Sequence, residues 1–386
     1  MLNFYGPKNH LAALACEWEN FTRGGYPPFV TQWRTEPVPP TIPVFSFHDV
    51  TPQALEARLS YLAANGYRTI TGDEYIAREG KSAGERLAML TFDDGRASLW
   101  TVAYPLLKKY GMKGVAFVLP GEIKEAAGAR PQTPGAAGGL LCTWPEITAM
   151  PDVFDVQSHS LTHLIMFVSP DVAAFYNPRI KRGWSRIDRP VTSEGGVDNL
   201  ERDYPLGTPL YQMDSRFSNH RRMIEPASVR QACAEHVEAN GGERFFGKTG
   251  WKDELMAVHS RAAAQALFVT ETEAGQAESM AFALAESKRI LEERLQGHKV
   301  RHFCLPFGVG CKLAVEAAAK TGYDAVYWGA RPAEFLEKLG SRPKNVGRLK
   351  DDFIFRLPGQ GRKTLLETLF SKFLRRFGFS KTGTGI

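Results

Sequence analysis

Residues Leu90-Thr91-Phe92-Asp93-Asp94-Gly95 carry an apolar, β-favouring run straight into two adjacent carboxylates and a glycine. Asp-Gly alone is an ordinary turn signal. Two like charges where a buried strand ends are less ordinary, and the surrounding chain decides their meaning. Upstream, 87–92 (LAMLTF) reads as a strand; downstream, 97–111 (ASLWTVAYPLLKKYG) reads as a helix closed by glycine. The same alternation spreads outward in both directions. Strands are expected at 42–50 (IPVFSFHDV), 113–121 (KGVAFVLPG) and 154–160 (FDVQSHS). Helices are expected at 52–67, with Leu55, Leu59 and Leu62 on one face, and at 143–150, with Thr143 as N-cap. The pattern resumes with a helix at 277–297, a strand at 300–308, a helix at 312–323 and a strand at 324–329. Strands alternating with helices of this length make a parallel sheet or barrel, in which functional groups collect at the carboxyl ends of strands. Asp93 and Asp94 occupy one such end, His159 a second and His48 a third.

Between 164 and 275 the alternation breaks into a stretch rich in proline, arginine, glycine and aromatics, with one clear helix at 226–240. A structureless loop of that length is improbable in a compact domain, so the stretch reads as an inserted subdomain or lid. The expected organisation is therefore an irregular arm (1–40), a first catalytic part (41–163), the insert (164–275), a second catalytic part (276–358) and a basic amphipathic tail (359–386). In the tail, Leu365, Leu366, Leu369, Phe370, Phe373, Leu374 and Phe377 share a face, with Lys372, Arg375 and Arg376 beside them. That face suits either a core contact or a membrane interface.

Composition narrows the class. The 386 residues are 43% hydrophobic and 23% charged, ordinary for a globular protein with a sizeable core. Net charge is +6 without a basic patch interleaved with aromatics, which argues against nucleic acid as a partner. Five cysteines without a C-x-x-C pair argue against a disulfide framework or a cysteine zinc site. No apolar run reaches the ~20 residues needed to span a bilayer. The first residues lack a signal-peptide pattern, and the expected location is the cytoplasm, with peripheral contact at the inner membrane face.

The second chemical element is 158–163, SHSLTH. His159 and His163 stand four apart, a spacing that on a helical turn puts both rings on one side. A carboxylate with two imidazoles is a familiar set of three ligands for zinc or another divalent ion. Strand residues alternate in direction, so of two adjacent aspartates one can ligate while the other serves as base. Two carboxylates so close also predict a raised pKa for one of them when no cation is bound.

T-F-D-D-G followed by H-S-L-T-H resembles the first two motifs of the NodB-homology polysaccharide deacetylases, carbohydrate esterase family four. The resemblance covers about residues 41–163 and 276–358, with LPFG (305–308) like the third motif and GYDAVYW (322–328) where a weaker fourth falls. It implies a distorted (β/α) barrel of the NodB type. It implies one divalent metal, zinc first with cobalt, nickel or iron as alternatives, held by Asp94, His159 and His163. It implies Asp93 as general base, and a backbone N–H near Pro306 and Phe307 facing the oxyanion. The implied reaction removes an N-acetyl group from an amino sugar of a glycan or lipid-linked saccharide precursor. Deformylation, cyclic-amide hydrolysis and a catalytically inactive sugar-binding scaffold are the alternatives.

The chain departs from the family pattern twice. Cys304 stands where the third motif usually has the arginine that orients the base, and Arg348 is the candidate to reach in from another strand end. No histidine follows His302, so the usual C-terminal acid histidine is missing; His48 is the candidate replacement, with Asp49 lining the pocket. In the insert, Trp184, Arg186, Arg189, Tyr211, Arg216, Arg221 and Arg222 are candidate substrate contacts, since aromatic faces stack on sugars and arginines fork onto anions.

Overall fold

The computed structural model describes residue 18 and residues 20–136, 138–194 and 197–376. Most of the arm's first half and the tail beyond residue 376, with Phe377, lie outside the described residues. Two compact units result. One comprises Cys16–Thr162, Ala281–Gly308 and Val315–Ile386; the other is built mainly from His163–Met280.

In the first unit eight strands form one parallel path: β1 (Val44–Phe47), β2 (Leu87–Phe92), β3 (Gly114–Val118), β4 (Phe154–Ser158), β5 (His302–Cys304), β6 (Ala325–Trp328), β7 (Lys344–Gly347) and β8 (Leu349–Lys350). Their order is β7-β6-β5-β4-β3-β2-β1-β8. β7 pairs with β6 and β8 pairs with β1, yet β7 and β8 are one stretch of chain interrupted only at Arg348. The two ends of the path therefore meet, and the sheet closes into a barrel. A short strand, Arg68–Thr69, adds to β2 outside this path.

Burial on both faces explains why the strands read as continuous apolar runs, and β2 is buried along its whole length. Val44, Met89, Phe117, Cys304, Tyr327 and Val346 belong to one buried cluster in the barrel. Alternation along a strand then puts Thr91 and Asp93 in line with Met89, and Arg348 in line with Val346. The two charged groups thus follow the inward-facing apolar rows toward the carboxyl end of the barrel.

The helices at Pro52–Ala64, Lys312–Lys320 and Leu365–Arg376 fall where the pattern places them. The segment after β2 differs from the expected continuous helix. Leu99–Ala103 is a π-helical stretch, with the Tyr104 N–H donating to the Leu99 carbonyl, before Tyr104–Lys109 returns to α. Pro105 is the cause: it has no N–H to donate and its ring crowds the preceding turn.

The second unit has its own core. Ile165–Phe175 pairs antiparallel with Pro209–Ser215. Helices Ala227–Ala239 and Trp251–Ala263 bury Cys233, Val237, Leu255 and Val258 with Phe175 and Phe245. The helix at 251–263 was not expected, although Trp251, Leu255, Val258 and His259 have helical spacing. The four described free cysteines are buried, and no described helix is long and apolar enough to cross a membrane.

Candidate active site

Strand ends of the first unit bring Asp93, Asp94, His159, His48 and Arg348 to one face of the barrel. Asp93 follows β2, and its N–H donates to the Phe47 carbonyl of β1 at 2.9 Å. Its side chain is 2% exposed. Arg348 grips it with two parallel hydrogen bonds, Nη1 to Oδ1 at 2.6 Å and Nη2 to Oδ2 at 2.8 Å. The rest of that guanidinium is also committed: Nε donates to the Trp328 carbonyl at 3.1 Å and Nη1 to the Thr91 hydroxyl at 3.0 Å. Thr91 in turn donates to the Phe45 carbonyl. The threonine of the T-F-D-D-G motif thus supports the arginine.

Burial, the largest single influence, raises the Asp93 pKa, but the charge and hydrogen bonds of Arg348 with the charges of His159 and His48 together hold the carboxyl down at about 2. For Asp93 the shift therefore runs downward, not upward. A guanidinium already neutralises Asp93. Asp94 has its own: Oδ2 accepts from Arg96 Nε, and Arg96 Nη2 lies at the same 2.8 Å. The expectation left Arg96 out, although it lies two residues beyond the motif's second aspartate.

Strand alternation alone does not part the two aspartates. Both lie past the end of β2, and Asp94 turns left-handed at φ +67°. The two histidines likewise do not ride on a helical turn: 159–163 is a chain of bends with Ser160 at φ +74°. These left-handed residues aim the side chains. His159 Nε2 reaches to 3.3 Å from Asp94 Oδ1, while its Nδ1 lies 2.8 Å from the Cys304 carbonyl. Burial would lower the His159 pKa; contacts with Cys304 and the two aspartates raise it well above the usual value instead. His163 Nδ1 is 2.9 Å from Asp188 Oδ1. Asp188 lies in a short 3-10 turn of the insert, twenty-five residues on, with no local signal to mark it.

One ligand atom each from Asp94, His159 and His163 lies within 4.8 Å of the others, and all three residues are buried. Both rings are fixed through Nδ1, which turns Nε2 into the ligating atom, as in histidines held by an outer carboxylate or carbonyl. This donor set fits a zinc-like divalent ion. Asp93, His159 and Cys304 also lie close enough. That set fits less well. Both Asp93 oxygens are held by Arg348, and burial raises the Cys304 thiol pKa, away from the thiolate a metal needs. Replacing Asp188 by asparagine is expected to weaken zinc affinity by roughly 10–100-fold without loss of fold, measured by chelator competition and circular dichroism.

His48 extends from β1, its Nε2 3.7 Å from Asp93 Oδ2 and its side chain 37% exposed. Loss of solvent around the ring, with the Lys350 charge, pushes its pKa down to about 4. Asp49 is exposed, and its carboxylate accepts from the Ser98 hydroxyl, which ties the end of β1 to the start of the helical segment after β2. After β5, Pro306 is buried and Phe307 sits at φ +60°, a conformation that costs a bulky residue about 1–3 kcal/mol. Gly308 follows with its own left-handed φ; a Cβ there would come within 2.9 Å of the Gly329 nitrogen.

Most of the insert residues offered as substrate contacts have partners within the insert or the stretch that follows it. Tyr211 is fully buried with its hydroxyl 3.2 Å from His259 Nε2. Arg216 pairs with Glu271 at 2.7 and 2.8 Å, and Arg222 with Asp198. Arg189 donates to the carbonyls of Arg202, Lys181 and Trp184, and Arg186 to that of Leu200. Trp184 is half-buried and Arg221 exposed.

Comparison with known proteins adds an independent line. The polysaccharide deacetylase family model matches residues 80–201, which include both motifs. The candidate polysaccharide deacetylase YxkH of Bacillus subtilis (strain 168) is 32% identical over 97 residues; the match takes in 22% of this chain and 35% of that protein. The chain thus spans about a third of that relative's length. Among solved structures, the BpsB deacetylase domain of Bordetella bronchiseptica aligns at 16% identity and TM-score 0.48, over 83% of this chain and 98% of that one. A de-N-acetylase from Aggregatibacter actinomycetemcomitans aligns at 15% and 0.45, over 80% and 94%. Over residues 80–201, which hold both motifs, the chain is thus similar to the polysaccharide deacetylases of the NodB type.

Proposed function

We propose that the protein is a metal-dependent hydrolase that removes the N-acetyl group of an amino sugar in a glycan or lipid-linked saccharide. The observation that carries this reading is the pairing of roles at the end of β2. Asp93 is kept ionised by Arg348, while its neighbour Asp94 turns to His159. A sugar-binding module has no use for a carboxylate base beside a ligand set. The deacetylase names of the relatives agree with this chemistry.

A divalent ion held by Asp94, His159 and His163 would polarise the amide carbonyl and make water acidic enough to attack near neutral pH. Asp93 takes the proton from the attacking water. Its low pKa makes the base form available at every working pH, and Arg348 fixes its direction. A backbone N–H of the turn at Phe307 would stabilise the developing oxyanion. His48, with a pKa of about 4, rests neutral, so the proton it gives the departing amine is the one Asp93 has just received.

The test is acetate release from N-acetylglucosamine oligosaccharides. Release is expected to vanish after chelation and to return with added zinc, cobalt or nickel. Formate in place of acetate from N-formyl substrates would redirect the reading to deformylation. Undiminished turnover after exhaustive chelation would remove its metal component.

A further inference from the structure

We propose that both ends of the barrel unit together form a surface that docks on an anionic membrane. The C-terminal helix, Leu365–Arg376, half-buries Leu365 and Leu369 but leaves a second apolar pair facing outward. Thr368 is 2% exposed, and the Lys372 ammonium lies 4.6 Å from the centroid of the Phe353 ring. Leu366 and Phe370, one turn apart, are 79% and 62% exposed. An amphipathic helix that only stabilised the fold would turn these two inward. In sequence, the helical spacing from Leu366 and Phe370 continues through Phe373.

A second segment adds to the same surface. Trp33 is 79% exposed. Arg362, three residues before the helix, donates to the carbonyls of Trp33 at 2.7 Å, Gln32 at 2.8 Å and Phe29 at 3.0 Å. The arm and the tail also share one anchor, since the Tyr26 ring lies 5.0 Å from that of Phe353. An exposed indole is thus fixed beside the entry to a helix with an outward apolar stripe.

The occupant follows from charge and residue type. Residues 362–386 hold six basic side chains (Arg362, Lys363, Lys372, Arg375, Arg376, Lys381) and one acidic (Glu367), a net of +5 in a chain of +6. Lysine is depleted at protein–protein interfaces. Tryptophan, phenylalanine and leucine among lysines and arginines suit the headgroup region of an anionic bilayer. No described helix is long and apolar enough to cross one, so the helix lies on the surface.

The experiment is co-sedimentation of the full chain with vesicles of phosphatidylcholine alone or mixed with phosphatidylglycerol. The protein is expected to pellet with the mixed vesicles, less so as salt rises, and weakly with the neutral ones. The double variant Leu366→Glu/Phe370→Glu is expected to lose about ten-fold or more in partitioning, and Trp33→Ser several-fold. Circular dichroism and melting should be unchanged in both. No sedimentation of the wild type at low salt, or equal binding by the double variant, overturns the proposal. So does a dimer in sedimentation velocity that the double variant abolishes without any vesicle binding, which would assign the patch to a second copy of the chain.

Discussion

Arg348→Met is expected to destabilise the protein by about 3–5 kcal/mol in a guanidinium titration and to remove most activity. The side chains of the pair are 4% and 2% exposed, so neither Arg348 nor Asp93 can recover its lost partner from water. Deleting the cation strands a carboxylate among Thr91, Cys304 and the barrel's apolar rows. The pH dependence follows from the sign of the Asp93 shift. A carboxyl held at about 2 stabilises the native state fully above the unfolded value near 4, and loses that contribution as pH falls toward 2. The gap between wild type and variant should therefore be widest at neutral pH and narrow as pH falls from the variant's raised Asp93 pKa toward about 2. The double variant Arg348→Met/Asp93→Leu is expected to recover much of the lost stability while staying inactive, because paired apolar groups of similar volume replace a buried ion pair at little cost. If the single variant melts like the wild type, Arg348 does not hold Asp93 in solution as it does here.

The barrel was legible because strands buried on both faces leave uninterrupted apolar runs between helical ones, and LAMLTF occupies Leu87–Phe92 as read. The closing of the sheet was not. It depends on one stretch, Lys344–Lys350, pairing on opposite sides before and after Arg348, and nothing in its composition marks the change. The candidate metal-ligand residues were legible as residue types at a spacing, but their convergence rests on left-handed turns at Asp94 and Ser160 that a non-glycine sequence does not announce. Asp188 was beyond reach for a plainer reason: its partner His163 is twenty-five residues away, and no periodicity links a 3-10 turn to a distant loop. The insert misled in the opposite direction. Arginines and aromatics that suit sugar recognition also suit a small core short of apolar mass, and Arg216 and Tyr211 went to the core.

Asp93→Asn is expected to lower kcat by roughly 10²–10⁴-fold, the usual contribution of a positioned general base. An amide of the same shape keeps the contact volume but cannot take the proton. Stability should also fall, since a neutral group now faces a buried guanidinium; loss of activity alone therefore does not identify the base. Two further readouts separate the roles. Zinc affinity should change little, because Asp94, His159 and His163 are untouched, whereas Asp94→Asn should weaken it strongly. The residual activity of Arg348→Gln supplies the other. Without the guanidinium, burial becomes the dominant influence on Asp93 and pushes its pKa upward. The acid limb of the kcat/KM profile should then move up by about one pH unit or more. An acid limb that stays in place would mean that a group other than Asp93 accepts the proton, and the division of labour between the two aspartates would have to be reversed.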